Sequence, residues 1–328
     1  DLQDMEVRKP EANARVMIEE SGTMVVEGIS NARGICALPA HDLEFSKKYR
    51  VKIIRTNGKV YETDYLESKA APEIEKVNFK VEGKGLKIYL DAHDPTNRTK
   101  FYLWNFEETW EIQSPVISYW ELKNGNLVER DKDPNMTRCW QQATSSEILL
   151  GTSERLSEDR VSEVPISFVS GNSIKLAHLY SILVKQYGLT REAYQYLETM
   201  KKNTEEIGTI FDPQPSELRG NIRCITNPGE AVIGWISAGS VSEKRIFISY
   251  TDRPVGWGFD SGCGPVMEVH IGDVKSWLAK DYLMSFRYVY DKAPVPAPWE
   301  VGDTVFAIAP KKCVDCTLLG SNEKPLYW

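Results

Sequence analysis

Apolar and polar residues alternate along much of this chain, a pattern that predicts β-strands with one buried face. In the stretch YRVKIIRTNGKVYETDYL, two β-rich runs flank Asn57-Gly58, a dipeptide that accepts the positive φ angles of a type I′ turn. The stretch IEKVNFKVEGKGLKIYLDAHD alternates in the same way on both sides of its GKG turn, and KFYLWNFEETWEI follows it. These segments predict two β-hairpins and a further long strand.

One segment, TREAYQYLETMKKNTEEIG, carries a helical pattern and predicts a helix over about residues 190–207. Thr190 can cap its N-terminus, Glu192 complements the positive end of the helix dipole, and Gly208 can end the helix. Strand patterns resume in AVIGWISAGSVSEKRIFISY. The predicted fold class is therefore mainly β, with one main helix.

The short stretch ESKAAPE predicts a domain boundary near Pro72, because few strands would continue through this segment. Residues 1–71 are then predicted to form an N-terminal, Ig-like β-sandwich. This unit is so small that its first strands could be missing or supplied from elsewhere. Residues 72–328 are predicted to form a larger β-rich domain that contains the helix. Within it, residues 72–120 could form an Ig- or fibronectin-like sub-lobe.

Composition narrows the classes of function. The net charge of −7 argues against a nucleic-acid binder, which would normally present a basic face. No apolar run approaches the roughly 20 residues that a membrane-spanning helix needs, so none is predicted. The nine Trp and 15 Tyr residues suit β-rich cores, and they would also suit a flat aromatic surface for sugars, peptides or a protein partner.

Six cysteines include the CVDC motif near the C-terminus, Cys313 and Cys316. A zinc site would need a second close-spaced pair, and a redox pair would need a helix directly after CxxC, where TLLGSNEKPLYW has Gly and Pro instead. We favour a disulfide in an exported protein. Either Cys313 bonds Cys316, or one of them bonds Cys224 or Cys263; free buried thiols remain the alternative.

No sequence pattern predicts a catalytic centre. The chain has no nucleophile elbow, phosphate-binding loop or dinucleotide-binding glycine motif, and its four histidines lack metal-ligand spacing. Glu107 and Glu108 are adjacent, and consecutive strand residues point to opposite faces, so these two cannot form an acid–base pair. We therefore predict no catalytic residue, no metal ligand and no cofactor.

The segment from LYSILVKQYGL to KRIFI, together with the terminal CVDCTLLGSNEKPLYW, resembles the Bacteroidota family called domain of unknown function 4249. The family's motifs occur here in the same order: a YSILVRQY-like strand, a helix, FDPQPS, GNI-C, KRIFI, and C-DC leading to KP-FW. FYLWNFEETWEI is similar to the family's Y-W-EETW segment, and Tyr327 replaces the commoner Phe. This resemblance covers about residues 74–328. The N-terminal strands are more loosely similar to a carboxypeptidase-regulatory-like sandwich.

The resemblance implies a location more than an activity. Proteins of this family are similar to exported lipoproteins of the outer membrane, encoded beside TonB-dependent transporters, with a lipid-bearing cysteine that would lie upstream of Asp1. We expect a non-catalytic, surface-facing accessory or binding subunit of such a β-barrel transporter, with peptide or glycan cargo and no nucleic acid. The alternatives are a structural subunit of a larger envelope assembly or secretion machine and, third in order, a glycan or peptide hydrolase.

The resemblance also implies structural roles for the recurrent motif residues. Pro213 and Pro215 would fix a chain crossing, and Gly220, beside Asn221, would permit a close backbone approach. The short DTV pattern matches one used for O-glycosylation in that phylum, which makes Thr304 a candidate acceptor.

Overall fold

The computed structural model describes residues 9–39, 41–124, 126–130, 136–205, 218–278, 280, 282–289 and 304–328. The fold is mainly β, as the sequence predicts, with several sheets and one main helix in this part of the chain. The first strands are β1 Arg15–Glu20, β2 Thr23–Ile29, β3 Lys48–Ile54, β4 Val60–Thr63, β5 Leu66–Lys69, β6 Ile74–Glu82, β7 Gly85–His93, β8 Phe101–Gln113, β9 Trp120–Lys123 and β10 Asn126–Glu129. The later strands are β11 Arg138–Thr144, β12 Leu149–Thr152, β13 Arg160–Ser170, β14 Leu179–Leu189, β15 Ile222–Cys224, β16 Ala238–Gly239, β17 Val241–Ser249, β18 Met267–His270, β19 Tyr282–Val289 and β20 Thr304–Pro310. The helices are α1 Arg191–Glu205 and α2 Val274–Leu278.

The N-terminal strands β1–β5 form one sheet, and two strands from far along the chain join it. The strand order is β15-β4-β3-β1-β2, with β5 beside β3 and β16 beside β5. The predicted boundary near Pro72 falls in the connection between β5 and β6, but residues 222–239 return to the N-terminal sheet. The strands described in this region form one sheet, which the later strands β15 and β16 extend. The carboxypeptidase-regulatory-like sandwich over residues 1–71 therefore stays a prediction.

A β-sandwich forms the centre of the protein. One layer is β13-β7-β6, and the other is β11-β8-β14-β17, with β12 also paired to β8. The inner faces bury Ile88 and Leu90 of β7 against Trp104 of β8 and Ile182 of β14, all of them without solvent exposure. Each such side chain contributes about 1.5–3 kcal/mol when removed from water. The sub-lobe predicted near residues 72–120 supplies β6–β8, and the other sandwich strands come from residues after it.

A fourth sheet, β10-β9-β19-β20-β18, combines a segment inserted after β8 with the C-terminal part of the chain. Its core holds Val269, Val274, Phe306 and Ile308, and Trp120 packs edge-on against Phe306 with ring centroids 5.7 Å apart. Helix α2 covers this core through Val274, which is fully buried.

Helix α1 confirms the predicted helix. The Ala193 N–H donates to Thr190 Oγ1 at 3.2 Å, so Thr190 caps the N-terminus. Ala193 and Leu197 pack against Phe101 and Leu189, because the apolar residues recur at helical spacing. The predicted end at Gly208 lies outside the described residues. In the described part of the chain, no helix is long and apolar enough to cross a bilayer.

The Asn57-Gly58 hairpin forms between β3 and β4, but the prediction of a type I′ turn is wrong. Only Gly58 has a positive φ, +81°, and Asn57 does not. The Arg55 N–H donates to the Lys59 carbonyl at 2.9 Å, which closes a three-residue loop. Such a loop places a type I turn before a single left-handed residue, so one glycine satisfies it.

The C-terminal tail lies on the outer face of the sandwich. Ser321 forms a β-bridge with Trp140 of β11. The Tyr327 hydroxyl lies 2.7 Å from Thr109 Oγ1, and the Arg245 guanidinium lies 3.6 Å from the centre of the Tyr327 ring. The KPLYW end is therefore part of the folded body.

Candidate functional site

A cleft opens where the N-terminal sheet meets the central sandwich. It has two adjoining lobes of about 500 and 490 Å³. Both lobes are lined by Lys48 of β3, by Glu67 and Lys69 of β5, and by Arg98 in the loop between β7 and β8. We call this space the junction cleft. Its volume lies in the range of pockets that hold small ligands.

The loop between β7 and β8 is held by a buried carboxylate, Asp94. Asp94 accepts hydrogen bonds from the backbone N–H groups of Thr96 at 2.8 Å, Arg98 at 3.0 Å and Thr99 at 2.9 Å. Burial alone would raise the pKa of Asp94, but these hydrogen bonds and the one from the Thr96 hydroxyl outweigh it and lower the pKa to about 2. The charged Asp94 thereby fixes the loop that carries Arg98 and Lys100 to the cleft.

Aromatic rings line the first lobe. Trp235 lies on it and packs against Tyr196 of α1, with ring centroids 5.3 Å apart, and its indole N–H donates to Ser237 Oγ at 3.1 Å. Tyr65, whose side chain is well exposed, and the largely buried Phe101 also line this lobe. Ring faces of this kind can stack on flat apolar or sugar surfaces.

Asn221 and Gly220 join the returning segment to the cleft wall. The Asn221 Nδ2 donates to the Ile236 carbonyl at 2.8 Å, and its Oδ1 accepts from the Ile236 N–H at 2.9 Å. A Cβ on Gly220 would lie 1.6 Å from the Gly234 carbonyl oxygen, so only glycine fits there. These two contacts hold the segment of Trp235 in place.

Several of the cleft's charges are already neutralised. Asp64 pairs with Arg223 at 2.5 Å, Glu67 pairs with Lys69 at 3.3 Å, and Arg191 pairs with Glu154 outside the cleft. Three further cations of the cleft are not neutralised in this way.

Lys48 and Lys100 have no carboxylate partner among the residues that the structure describes, and the Arg98 side chain donates only to the Thr96 hydroxyl, at 3.2 Å. Three carboxylates line the first lobe, and Glu192 in the first turn of α1 is the one that has no cationic partner among the described residues. The cleft therefore carries unneutralised positive charge.

Two disulfides tie the C-terminal part of the chain to the rest. Cys263 is bonded to Cys313, and Cys139 on β11 is bonded to Cys316. Cys313 and Cys316 thus bond different partners instead of each other. Cys224, which the sequence also suggests as a disulfide partner, is a free buried thiol, because β15 places it beside β4. The sequence does not indicate Cys139 as the partner of Cys316.

The remaining candidates lie apart from the cleft or outside the described residues. Thr304 opens β20 with a half-buried side chain, and its carbonyl accepts from the Ile271 N–H at 3.1 Å. O-glycosylation there stays a prediction. Pro213 and Pro215 lie outside the described residues.

The acidic residues Glu107 and Glu108 of β8 form hydrogen bonds and ion pairs within the sandwich. Glu108 accepts a hydrogen bond from the Tyr180 hydroxyl at 2.7 Å and pairs with Lys175 at 2.5 Å. The pKa of Tyr180 is raised, mainly because the hydroxyl is buried and also because the Glu108 carboxylate is close to it. Glu107 points to the other face, where Lys185 pairs with it at 2.6 Å, as strand alternation predicts. Within the described ranges, no three His, Cys, Asp or Glu side chains are grouped as metal ligands.

The residues of the junction cleft have no distinctive pattern in the sequence. In sequence, Lys48, Arg98 and Lys100 look like ordinary surface cations. The stretch DPTNRTK is a partial signal, because Asp before Pro, Thr and Asn is typical of a turn held by its own side chain. Nothing local indicates that this loop lies beside β3 and β5.

Comparison with models of protein families gives a match. The model of the family described as Domain of unknown function (DUF4249) matches residues 2–245, a range that contains the whole lining of the junction cleft and ends before β18. Searches of curated proteins and of solved structures found no match. The match spans most of the chain, and it agrees with the resemblance that the motifs of the C-terminal half indicate. The chain belongs to the DUF4249 family.

Proposed function

We propose that this protein is a non-catalytic binding subunit of the outer membrane, an exported lipoprotein that acts beside a TonB-dependent β-barrel transporter. In this proposal the junction cleft holds the cargo, a peptide or a glycan, and another face of the protein docks on the barrel. Recognition of cargo, rather than chemistry on it, is the task of the cleft.

The observation that carries the proposal is the unneutralised charge of the junction cleft. Lys48, Arg98 and Lys100 lie in a concave site although the whole chain has a net charge of −7. A cation without a partner in a cleft is well suited to meet an anionic group of a ligand.

The rigid frame of the cleft supports the same proposal. Asp94 fixes the loop of Arg98, and Asn221 bonds both backbone groups of Ile236. A site whose groups are already in place loses less conformational entropy when it binds. Such preorganisation favours a binding role for the cleft.

The location and the barrel partner rest on the family resemblance. The ordered motifs of the C-terminal half resemble those of a family that we expect to comprise exported lipoproteins encoded beside TonB-dependent transporters. Membership of the family supports this assignment, and the two disulfides are consistent with export to an oxidising compartment.

A pull-down tests the proposal. The tagged protein is cross-linked in intact outer membranes, purified under native conditions and analysed by mass spectrometry. We expect one TonB-dependent barrel at an abundance that matches the protein. Several unrelated barrels or assembly factors would favour a structural subunit of an envelope machine instead. Recovery of the protein alone would contradict the proposed role.

A further inference from the structure

We infer that the ligand of the junction cleft is an acidic oligosaccharide, one whose sugar rings carry carboxylate or sulfate groups. This inference rests on the proposed binding function, and it names the class of cargo. It combines three features of the cleft: its charge, its aromatic rings and the pairing of its strands.

Charge is the first feature. The first lobe is lined by five cationic side chains and three carboxylates, and two of those carboxylates, Asp64 and Glu67, are held by cations. The partner-free cations come from two different units, Lys48 from the N-terminal sheet and Arg98 and Lys100 from the sandwich. A ligand bridging the two units would therefore meet positive charge on both sides. Arginine and lysine bind carboxylate and sulfate oxygens through charge-assisted hydrogen bonds.

The aromatic rings are the second feature. Tyr65 is 41% exposed, and Trp235 lines the cleft while Tyr196, which does not line it, supports the indole. A supported ring keeps its orientation when a flat surface stacks on it. Sugar rings present C–H faces of this kind next to their hydroxyl and acid groups. Rings and cations side by side match a charged saccharide better than a bare inorganic anion.

The pairing of the strands is the third feature, and it argues against a peptide. An extended peptide commonly binds by adding a strand to a free sheet edge. In the cleft, both sides of β5 carry a partner strand, because Leu66 and Glu67 pair with β3 and Ser68 and Lys69 pair with β16. This pairing favours recognition by side chains at this wall.

The test is a calorimetric titration of the purified protein at low salt with four probes. Tetragalacturonate and a chondroitin sulfate tetrasaccharide supply carboxylate and sulfate on sugar rings. The methyl ester of tetragalacturonate keeps the rings and removes the charge, and tetraglutamate keeps the charge and removes the rings. We expect at least one acidic saccharide to bind, at least about tenfold more tightly than the ester or the peptide, and to bind more weakly as salt is raised.

Matched triple variants assign the binding to the cleft. Lys48→Gln, Arg98→Gln and Lys100→Gln together remove its partner-free cations. The control variant combines Arg33→Gln, Lys76→Gln and Lys84→Gln, exposed residues outside the cleft, and removes the same amount of charge. We expect the cleft variant to lose at least about tenfold in affinity and the control to keep the wild-type affinity.

Three outcomes would overturn the inference: neither acidic saccharide binds, the ester binds equally well, or both triple variants lose affinity equally. Stronger binding of tetraglutamate that is lost in the cleft variant would show a binding cleft for an acidic peptide. The proposed binding function would then stand, and only the saccharide class would be wrong. The barrel partner is tested separately by the pull-down, so the two failures are distinguishable.

Discussion

At the scale of single residues, the carboxylate of Asp94 fixes the loop that carries two cations of the junction cleft, Arg98 and Lys100. It receives hydrogen bonds from three backbone N–H groups and from the Thr96 hydroxyl, although it is only 7% exposed. The desolvation of the charge is offset by these donors, which is why the pKa falls to about 2. An uncharged side chain of the same shape cannot accept all of these bonds.

We predict that Asp94→Asn lowers the free energy of unfolding at pH 7 by about 2 kcal/mol, the scale of hydrogen bonds to a charged group. The folded pKa lies below the usual value of 3.8, so the contribution of Asp94 is present above about pH 4 and is lost as the pH falls toward about 2. Urea denaturation between pH 7 and pH 2 should show the difference between wild type and variant shrinking with acid.

Asp42→Asn is the matched control for this prediction, because Asp42 is an exposed aspartate. The control should unfold like the wild type at every pH. A constant difference between Asp94→Asn and wild type down to about pH 2 would show that the carboxylate charge does not stabilise the loop.

At the scale of elements, the returning strand β15 joins the N-terminal sheet through a close backbone contact. Gly220 packs directly on the backbone of Gly234, and β15 starts two residues later at Ile222. The Glu230 carboxylate adds an attachment to β4, since it accepts from the Tyr61 hydroxyl at 2.6 Å and pairs with Lys59 at 2.5 Å. The pKa of Glu230 falls to about 2, first because of the Lys59 hydrogen bond and then because of Tyr61.

We predict that Gly220→Ala weakens this attachment, because the new methyl group would lie 1.6 Å from a carbonyl oxygen. The expected loss is about 1–3 kcal/mol of unfolding free energy, as for other overpacked sites. Hydrogen exchange should quicken at the amides of β15. Gly264→Ala, where a Cβ meets no atom within 4 Å, should leave stability and exchange unchanged. Equal exchange in both variants would contradict the role of this contact.

The elements also show what the sequence can and cannot predict. Hairpins and α1 follow from local periodicity and turn residues, so the alternation around GKG and the cap at Thr190 predicted them correctly. The pairing of β15 with β4 has no local signal, because two short strands that lie far apart in the sequence must meet. The junction cleft depends on that pairing and on the placement of one loop, so its residues could not be predicted.

At the scale of the whole molecule, two long-range disulfides join the C-terminal segment to the central sandwich and to the loop before β18. Their cysteines are separated by 177 and 50 residues. A cross-link over a loop of such length lowers the conformational entropy of the unfolded chain, and this raises the free energy of unfolding by about 4–5 kcal/mol for each disulfide. The CVDC motif is thus a double attachment point rather than one closed ring.

We predict that non-reducing peptide mapping finds Cys139 linked to Cys316 and Cys263 linked to Cys313, with the Cys224 peptide unlinked. The Cys316→Ser variant should lose about 2–5 kcal/mol of unfolding free energy, the range seen when a native disulfide is removed. Cys36→Ser, at a free half-buried cysteine, is the control and should lose little. A peptide with Cys313 bonded to Cys316 would refute this pairing.

In the proposed function, this protein holds its cargo in the junction cleft. Native mass spectrometry of the protein, gently extracted from the cells that make it, tests this assignment. We expect wild type and the Arg33/Lys76/Lys84 control variant to carry the same bound mass, and the Lys48/Arg98/Lys100 variant to lack it. A bound mass that persists unchanged in the cleft variant, or no bound mass in any of the three proteins, would contradict a cargo-binding role of the junction cleft.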